Sequence, residues 1–317
     1  MPEFSLQDKK IWVAGHTGMV GQAILRRLEH EPCEVLKITH DELDLTRQQD
    51  TENWIESTKP DVVIIAAAKV GGIGANMNAP AEFIYQNMAI AQNVIHGAYK
   101  AGVEKLLFLG SSCIYPREAK QPITEDCLLS APLELTNEAY AIAKIAGVKL
   151  AQFYRKQYGC DYISAMPTNL YGPNDNFDPE TGHVIPALIH KIHKAKKEEI
   201  ASVAIWGTGA PSREFMHVDD LADALVHVLK QYSSENPINI GSGEELSIME
   251  TAKLIQDIIG YDGELVYNSL KPDGVPRKIL DSSKLYGLGW KPTIALKEGL
   301  EQTYTWYCDA LSHDKAR

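Results

Sequence analysis

The first thirty residues constrain the fold of this chain more than any other stretch. A short apolar run, Lys10–Ala14, has the character of a buried strand and leads directly into a glycine turn, GHTGMVG at 15–21. An amphipathic stretch follows at 22–29, with apolar residues at helical spacing. Strand, glycine turn and helix in this order suit pyrophosphate binding, because glycines let the backbone approach the phosphates and a helix N-terminus favours an anion. The sequence therefore predicts a dinucleotide site at the start of the chain.

Alternating strand and helix signals continue through the first half of the chain. Apolar runs predict strands at 34–39, 61–68, 105–109 and 162–166, and helical periodicity predicts helices at 81–100 and 137–156. The run at 61–68 is almost entirely apolar, as expected of a parallel strand that is covered on both faces. This alternation predicts an α/β fold with a Rossmann-type, doubly wound parallel sheet.

A polar, turn-rich segment at 174–182 ends the regular alternation and predicts a crossing between domains. We expect residues 1–173 together with 218–241 to form the dinucleotide-binding domain. Residues 174–217 together with 242–317 are expected to form a smaller α/β substrate-binding domain. This second domain would close a cleft over the carboxyl edge of the sheet, where ligands bind in open α/β folds.

Composition disfavours several classes of protein. A net charge of −11 disfavours binding to nucleic acid or to an anionic membrane surface. No apolar run approaches the roughly 20 residues that a membrane-spanning helix needs, and the first residues lack the basic and apolar regions of a signal peptide. The five cysteines have no CxxC spacing, so neither a disulfide framework nor a metal site is predicted. We therefore expect a cytoplasmic protein.

Ser111, Tyr140 and Lys144 are the first candidates for catalysis. Tyr140 and Lys144 are four residues apart on a predicted helix, so phenol and ammonium lie on one face, about one turn apart. The ammonium would lower the tyrosine pKa from roughly 10, which makes the phenol a usable proton donor near neutral pH. Ser111 follows an apolar run, where its hydroxyl can hold a substrate carbonyl. Because YxxxK is common by chance, the motif gains its meaning only beside the glycine turn.

Six sequence blocks carry a resemblance to a known family. They are the glycine turn, SSCIYP, YAIAK, MPTNLYGP, REFMHVDD and KPDGVPRK, and they occur in this order over nearly the whole chain. Together they resemble the extended short-chain dehydrogenase/reductases and, more narrowly, the GDP-L-fucose synthase family. The resemblance implies an NADP(H)-dependent enzyme that epimerises C3 and C5 of GDP-4-keto-6-deoxy-D-mannose and reduces C4. It also implies a homodimer formed through the helices at 81–100 and 137–156.

The resemblance also implies roles for individual residues. The reduction site would be Ser111, Tyr140 and Lys144. The acid and base of epimerisation would be Cys113 and His183. The GDP-sugar pocket would be lined by Lys191, Trp206, Arg213 and Asp273. The cofactor would contact Gly15, His16, Thr17, Gly18, Met19, Val20, Gly21, His40, Asp41, Leu109, Gly110, Ser111, Ser112, Lys144, Pro167, Thr168, Asn169, Leu170 and His183.

Elementary chemistry agrees with the epimerase assignment. Protons α to a ketone are acidic enough to remove, so C3 and C5 can be inverted by one group that removes a proton and another that returns it from the opposite face. Cysteine and histidine have unperturbed pKa values of roughly 8.5 and 6.5, near working pH. Cys113 follows Ser111 by two residues, and His183 lies in the loop that enters the second domain. Which of the two is the base stays open at this point.

Three positions depart from the family pattern. Thr17 and His40 stand where bacterial members carry arginines that grip the cofactor's 2′-phosphate, so the residues leave NADP against NAD preference open. Lys37 or His40 can partly substitute, whereas Asp41 can bond a ribose hydroxyl instead. Lys191 also stands where an arginine is usual, which weakens the expected hold on the sugar nucleotide.

Rival functions make different demands on the same residues. A 4,6-dehydratase would carry an acidic pair where this chain has SSC at 111–113, and a simple 4-epimerase would not need Cys113 with His183. Epimerisation with reduction, or reduction alone, of another GDP-4-keto sugar such as a deoxyheptose or a dideoxy sugar stays open. A non-enzymatic nucleotide sensor would be expected to lose the serine, tyrosine or lysine of the reduction site, and all three are present.

Overall fold

The computed structural model describes residues 3–270 and 273–313, so the first two residues of KPDGVPRK lie outside the described residues. The strands are β1 (Lys10–Ala14), β2 (Glu34–Leu36), β3 (Val62–Ile65), β4 (Lys105–Leu109), β5 (Asp161–Pro167), β6 (Asn169–Tyr171), β7 (Ser202–Trp206), β8 (Ser212–His217), β9 (Ile238–Ile240), β10 (Glu245–Ser247), β11 (Glu264–Asn268) and β12 (Arg277–Lys278). The helices are α1 (Met19–Leu28), α2 (Gln48–Thr58), α3 (Ile73–Asn78), α4 (Pro80–Lys100), α5 (Glu138–Tyr158), α6 (Val184–Lys197), α7 (Val218–Gln231), α8 (Ile248–Ile259), α9 (Ser283–Gly287) and α10 (Leu296–Ser312).

Six parallel strands form the main sheet, in the order β2-β1-β3-β4-β5-β9. Its strands are apolar because helices cover both faces. Alternate residues of β1 show this, since Ile11 and Val13 pack with α1 and α7 while Trp12 packs with α2 and α4 on the other face. The predicted Rossmann-type, doubly wound sheet is confirmed.

The strand order reverses between β1 and β3, because the chain passes from β1 to β2 on one side and then crosses to β3 on the other. In open α/β sheets this switch point forms a crevice at the carboxyl edge, where ligands bind. The glycine turn at 15–21 follows β1 at this edge. Strands β2 and β3 are shorter than the apolar runs predicted at 34–39 and 61–68, because the chain leaves the ladder where the crevice begins.

A second group of strands and helices surrounds a separate core. Strand β8 pairs in parallel with β6 and β12 and antiparallel with β10, while β7 pairs with β11. Helices α6 and α8 pack around buried apolar side chains such as Ile189 and Ile255. The prediction assigned residues 169–171 to the first domain, but they form β6 and pair with β8. The Asn169 amide donates to the Glu214 backbone oxygen at 2.8 Å, which helps to hold β6 on the second sheet.

The two longest helices, α4 and α5, pack against each other on one face of the main sheet. Several large apolar side chains on these helices stay exposed, including Tyr85 at 63% and Phe153 at 59%. No helix in the described ranges combines the length and the apolar character that a bilayer crossing requires.

Candidate active site

The glycine turn fits a dinucleotide. Gly15 has φ +88°, in the left-handed region, and a Cβ there would lie 2.5 Å from the backbone nitrogen of Ala67. A Cβ on Gly21 would lie 2.1 Å from the Gly15 oxygen, so the turn is tightly packed on this side. Gly18 begins α1 without a side-chain cap, and a Cβ there would meet only the Gly15 oxygen, at 3.7 Å. The open side and the uncapped N–H groups of α1 therefore suit a pyrophosphate.

The chain after β2 supplies positive groups near the glycine turn. Lys37 and His40 are exposed beyond this strand, next to Asp41, and Thr17 is exposed in the turn. His16 is buried, and burial together with the nearby Lys37 charge lowers its pKa. The Lys37 charge therefore acts on His16 of the glycine turn, where threonine occupies position 17.

Other predicted cofactor contacts lie at the carboxyl ends of β4 and β5, which are neighbours in the sheet. These positions are Leu109, Gly110, Ser112, Pro167, Thr168, Asn169 and Leu170. The Gly110 backbone N–H donates to the Ala165 oxygen at 2.9 Å, which ties the two strand ends together. The structure thus brings these positions to the same edge of the sheet as the glycine turn.

Ser111, Tyr140 and Lys144 come together as predicted. Ser111 directly follows β4, and its side chain lies beside the Tyr140 phenol of helix α5, where it opposes the rise in the phenol pKa. The Lys144 Nζ lies 5.8 Å from the centre of the Tyr140 ring and donates to the backbone oxygen of Leu109 at 2.7 Å. Tyr140 and Lys144 are about one turn apart on α5, and Ser111 follows the end of β4. The three predicted residues therefore meet.

The predicted lowering of the Tyr140 pKa is wrong for this structure. Burial raises the Tyr140 pKa, and the nearby Cys113 raises it further, against the Ser111 hydrogen bond. Burial also lowers the Lys144 pKa to about 7. Helical spacing brought the two groups close, but desolvation disfavours the charged form of each, and burial cannot be read from an i, i+4 pattern.

Burial of Lys144 makes the free energy of unfolding depend on pH. Its folded pKa of about 7 lies below its ordinary value of 10.5, so the folded protein binds fewer protons there than the unfolded chain at pH values between these two. The free energy of unfolding consequently rises with pH above about 7, and this contribution is lost below it. Relative to Lys144→Met, the wild type should gain up to about 1.4 kcal/mol per pH unit between about pH 7.5 and 9, in urea denaturation. A difference that stays flat or falls across this range contradicts the prediction.

Cys113 lies beside the reduction trio. Its backbone N–H donates to the Ser111 hydroxyl oxygen at 3.2 Å, and its Sγ lies 3.6 Å from the Nζ of Lys278. Burial alone would raise the thiol pKa, but Lys278, the nearby Ser111 side chain and Arg213 together lower it. The cysteine is therefore placed in an electropositive setting, which is typical of reactive thiols.

His183 is the N-cap residue of α6 and is exposed, and its side chain makes no capping hydrogen bond. The surrounding protein nevertheless disfavours a positive charge on the His183 ring. Desolvation lowers the His183 pKa most, and the Lys278 charge lowers it further. Lys278 therefore acts electrostatically on both Cys113 and His183, the two residues predicted for epimerisation.

The predicted GDP-sugar residues lie around the second sheet. Arg213 lies in β8, where burial lowers its pKa and the nearby Cys113 and Asp273 oppose that change. Lys191 Nζ lies 5.0 Å from the centre of the Trp206 ring. The Asp273 carboxylate accepts from the backbone N–H of Thr208 at 2.7 Å and from its hydroxyl at 3.0 Å. Arg213 therefore connects the predicted sugar-nucleotide pocket to the epimerisation residues.

Sequence reasoning missed Lys278, although it quoted the motif that ends at this residue. A glycine-rich loop at 69–74 follows β3. In the structure this loop packs against the segment that precedes His183, where the Gly72 N–H donates to the Thr181 oxygen at 2.8 Å. A Cβ on Gly72 would lie 2.5 Å from the Gly182 oxygen. The glycines therefore permit two loops to meet directly beside a predicted catalytic histidine.

Gly72→Ala should disturb this contact. The new Cβ would push the 181–182 segment away and displace His183, so turnover should fall about 10- to 100-fold, since catalysis is sensitive to small misplacements. NADPH affinity, followed by fluorescence titration, should change by less than about twofold. Gly287→Ala is the matched control, because a Cβ there meets nothing within 4 Å. Unchanged turnover in Gly72→Ala would show that the loop contact does not position the histidine.

Comparisons with known proteins cover nearly the whole chain. Residues 11–241 match the NAD dependent epimerase/dehydratase family. GDP-L-fucose synthase 1 of Arabidopsis thaliana is 58% identical over 306 residues, which is 96% of this chain and 95% of that protein. The solved structure of a GDP-L-fucose synthetase from Naegleria fowleri bound to NADP superposes with a TM-score of 0.92 at 30% identity, covering 100% of this chain and 98% of that one. A GDP-6-OMe-4-keto-L-xylo-heptose reductase from C. jejuni gives a TM-score of 0.90 at 35% identity, covering 97% and 99%.

Proposed function

Because this chain belongs to the NAD dependent epimerase/dehydratase family, we propose that it carries out the NADPH-dependent 3,5-epimerisation and 4-reduction of GDP-4-keto-6-deoxy-D-mannose to GDP-L-fucose. One observation carries the proposal: Ser111 contacts both Tyr140, which is predicted to act in reduction, and Cys113, which is predicted to act in epimerisation. Its side chain lies beside the Tyr140 phenol, and its hydroxyl oxygen accepts from the Cys113 N–H. A proton donor for reduction and a thiol for epimerisation are therefore built around one hydroxyl.

Epimerisation uses the acidity of the carbons beside the ketone. The hydroxyls of Ser111 and Tyr140 donate hydrogen bonds to the C4 oxygen, which stabilises the negative charge that develops there when a proton leaves C3 or C5. Cys113 and His183 remove and return the proton from opposite faces of the sugar. The lowered thiol pKa supports proton removal by Cys113.

Reduction fixes the configuration that epimerisation produces. NADPH supplies a hydride to C4 when it is bound. Tyr140 gives its phenolic proton to the oxygen at that carbon, and Ser111 holds the same oxygen in place. Lys144 is close enough to the Tyr140 ring to favour the phenolate that remains, provided that its ammonium keeps its proton.

Binding of the GDP end draws on the second sheet. Arg213 offers a planar fork of donors that matches a phosphate, and its partial burial strengthens the interaction. Lys191 adds positive charge, and Trp206 offers a flat aromatic face to a ribose or base. Asp273 orders the Thr208 loop beside this pocket. At the cofactor end, we propose that Lys37 and His40 bind the 2′-phosphate of NADPH. They would take the role of the arginines that bacterial family members carry at the positions of Thr17 and His40.

We propose that the active form is a cytoplasmic homodimer joined through α4 and α5. Exposed Tyr85 and Phe153 supply apolar surface on these helices that a partner copy would cover. Phe153→Glu should convert the dimer to a monomer in light scattering after size-exclusion chromatography. Tyr267→Glu, at a similarly exposed position on β11, should leave the dimer intact. A monomeric wild type contradicts the proposal.

The deciding experiment supplies NADPH and a panel of GDP-4-keto sugars in heavy water. NADPH should be consumed with GDP-4-keto-6-deoxy-D-mannose, and before reduction deuterium should appear at both C3 and C5. The structural similarity to a heptose reductase keeps one other candidate function in view, because reduction without deuterium incorporation, or preference for a heptose, would identify a related reductase instead. NADPH binding without turnover of any sugar would indicate a nucleotide sensor.

A further inference from the structure

Strand β12 places Lys278 against the epimerisation site, although Lys278 is 165 residues away from Cys113 in sequence. In the parallel pair of β12 and β8, Lys278 stands opposite Arg213 and Arg277 stands opposite Ser212. Side chains of paired residues project to the same face of a sheet, so Lys278 and Arg213 lie side by side. The next residue back, Arg277, faces the other way and forms an ion pair with Glu245 of β10. This ion pair and the ladder fix the register that brings Lys278 to the thiol.

The contact between Lys278 and Cys113 is direct. The ammonium Nζ lies 3.6 Å from Sγ, within the range of a hydrogen bond to sulfur. Among the described residues no ion pair joins Lys278 to a carboxylate, so its charge is not neutralised by a close acidic partner. The charged and titratable groups around this contact are Arg213, Tyr140, His183, Tyr115, Arg117 and Glu134. Glu134 pairs at 3.5 Å with Arg117, on the wall of a cavity of about 20 Å³ that Cys113 and Lys278 also line.

We propose that Lys278 is a positioning residue for epimerisation: its ammonium holds the Cys113 sulfur as a thiolate, ready to remove a proton beside the substrate ketone. The inference rests on the proposed function. In the step, the C–H bond at C3 or C5 breaks, its proton forms the S–H bond, and its electron pair becomes the enolate whose oxygen Ser111 and Tyr140 hold. Lys278 keeps its own protons throughout and acts only through Cys113. The direction of the Cys113 pKa, lowered although burial opposes ionisation of the partly buried thiol, agrees with this role.

The test measures the thiol without any sugar substrate. The enzyme is treated with iodoacetamide across a pH series, and alkylation of the Cys113 peptide is followed by mass spectrometry, which separates it from the other cysteines. Because only the thiolate reacts, the inflection of the rate reports its ionisation. In the wild type the inflection should fall below about 8.5, the ordinary cysteine value. An inflection at or above that value in the wild type alone overturns the proposal.

Variants then isolate the lysine. Lys278→Met, which keeps the length of the side chain, should raise the inflection by at least about one pH unit and slow alkylation about tenfold or more near pH 7.5. Lys278→Arg should restore most of the wild-type profile. Lys120→Met removes a positive charge from an exposed position and should change nothing. Equal profiles for Lys278→Met and wild type contradict the proposal, because a merely structural lysine would not move the inflection.

The same variants separate this inference from the proposed function. Deuterium exchange at C3 and C5 should fall about 10- to 100-fold in Lys278→Met, while NADPH binding is retained. A shifted alkylation profile with no deuterium exchange in the wild type, on any GDP-4-keto sugar, would overturn the proposed function and with it the epimerase role, but not the effect of Lys278 on the thiol. Normal exchange in Lys278→Met would overturn the positioning role alone.

Discussion

Replacing Tyr140 with phenylalanine is expected to lower the rate of NADPH consumption about 10³-fold, because a general acid contributes roughly 10²- to 10⁴-fold to a rate. The phenol is the donor within reach of Ser111, and its raised pKa means that it carries its proton at working pH. Ser111 cannot take over as the proton donor in this variant, because its hydroxyl is less acidic than a phenol. The loss should appear in kcat, measured by the decrease in NADPH absorbance, while the NADPH dissociation constant changes little.

The control for this experiment is another tyrosine on the same helix. Tyr158 lies at the exposed end of α5 and stacks on Tyr99, so Tyr158→Phe removes a hydroxyl far from the cleft. Its turnover should stay within about twofold of the wild type. If Tyr140→Phe retains more than a tenth of the activity, Tyr140 is not the proton donor. Deuterium exchange should be reduced less than turnover, since Ser111 still holds the ketone oxygen.

Cys113→Ser should abolish deuterium incorporation at C3 and C5, with a loss of about 10³-fold or more. Serine has nearly the same shape, but its hydroxyl pKa is far above that of a thiol, so a neighbouring ammonium cannot ionise it at working pH. The Cys113 N–H that donates to Ser111 is a backbone group and survives the substitution. Proton exchange is followed by NMR in heavy water, without NADPH.

Cys33→Ser serves as the matched variant, because Cys33 is a partly buried thiol that packs against another part of the main core. The Cys33→Ser variant should catalyse exchange of the C3 and C5 protons at the wild-type rate. Exchange that persists in Cys113→Ser at more than about a tenth of the normal rate would assign proton removal to another group, and His183 would be the first candidate. Loss at only one of the two carbons would show that C3 and C5 use different bases.

Much of this architecture could be predicted because it follows from local patterns. The glycine turn at 15–21, the apolar strand β4 and the spacing of Tyr140 and Lys144 each signal their structure within a few residues. The rest of the fold and of the candidate site depends on contacts between residues that are far apart in the sequence. Strands β6 and β12 have three and two residues, too few for any periodic signal, and so the pairing that places Lys278 at Cys113 was invisible. The direction of the Tyr140 pKa depends on burial, which spacing does not reveal.

The pairing of β12 with β8 also has a consequence for how such a site can diverge. A shift of one residue in this ladder would exchange the faces of its side chains and turn Lys278 away from the sulfur. Asp273 precedes β12, lies outside that ladder and contacts the Thr208 loop. Insertions or deletions beside Asp273 can reshape the predicted sugar-nucleotide pocket while the lysine stays against the thiol. New substrates can therefore be acquired through loop length, without rebuilding the proton-transfer chemistry.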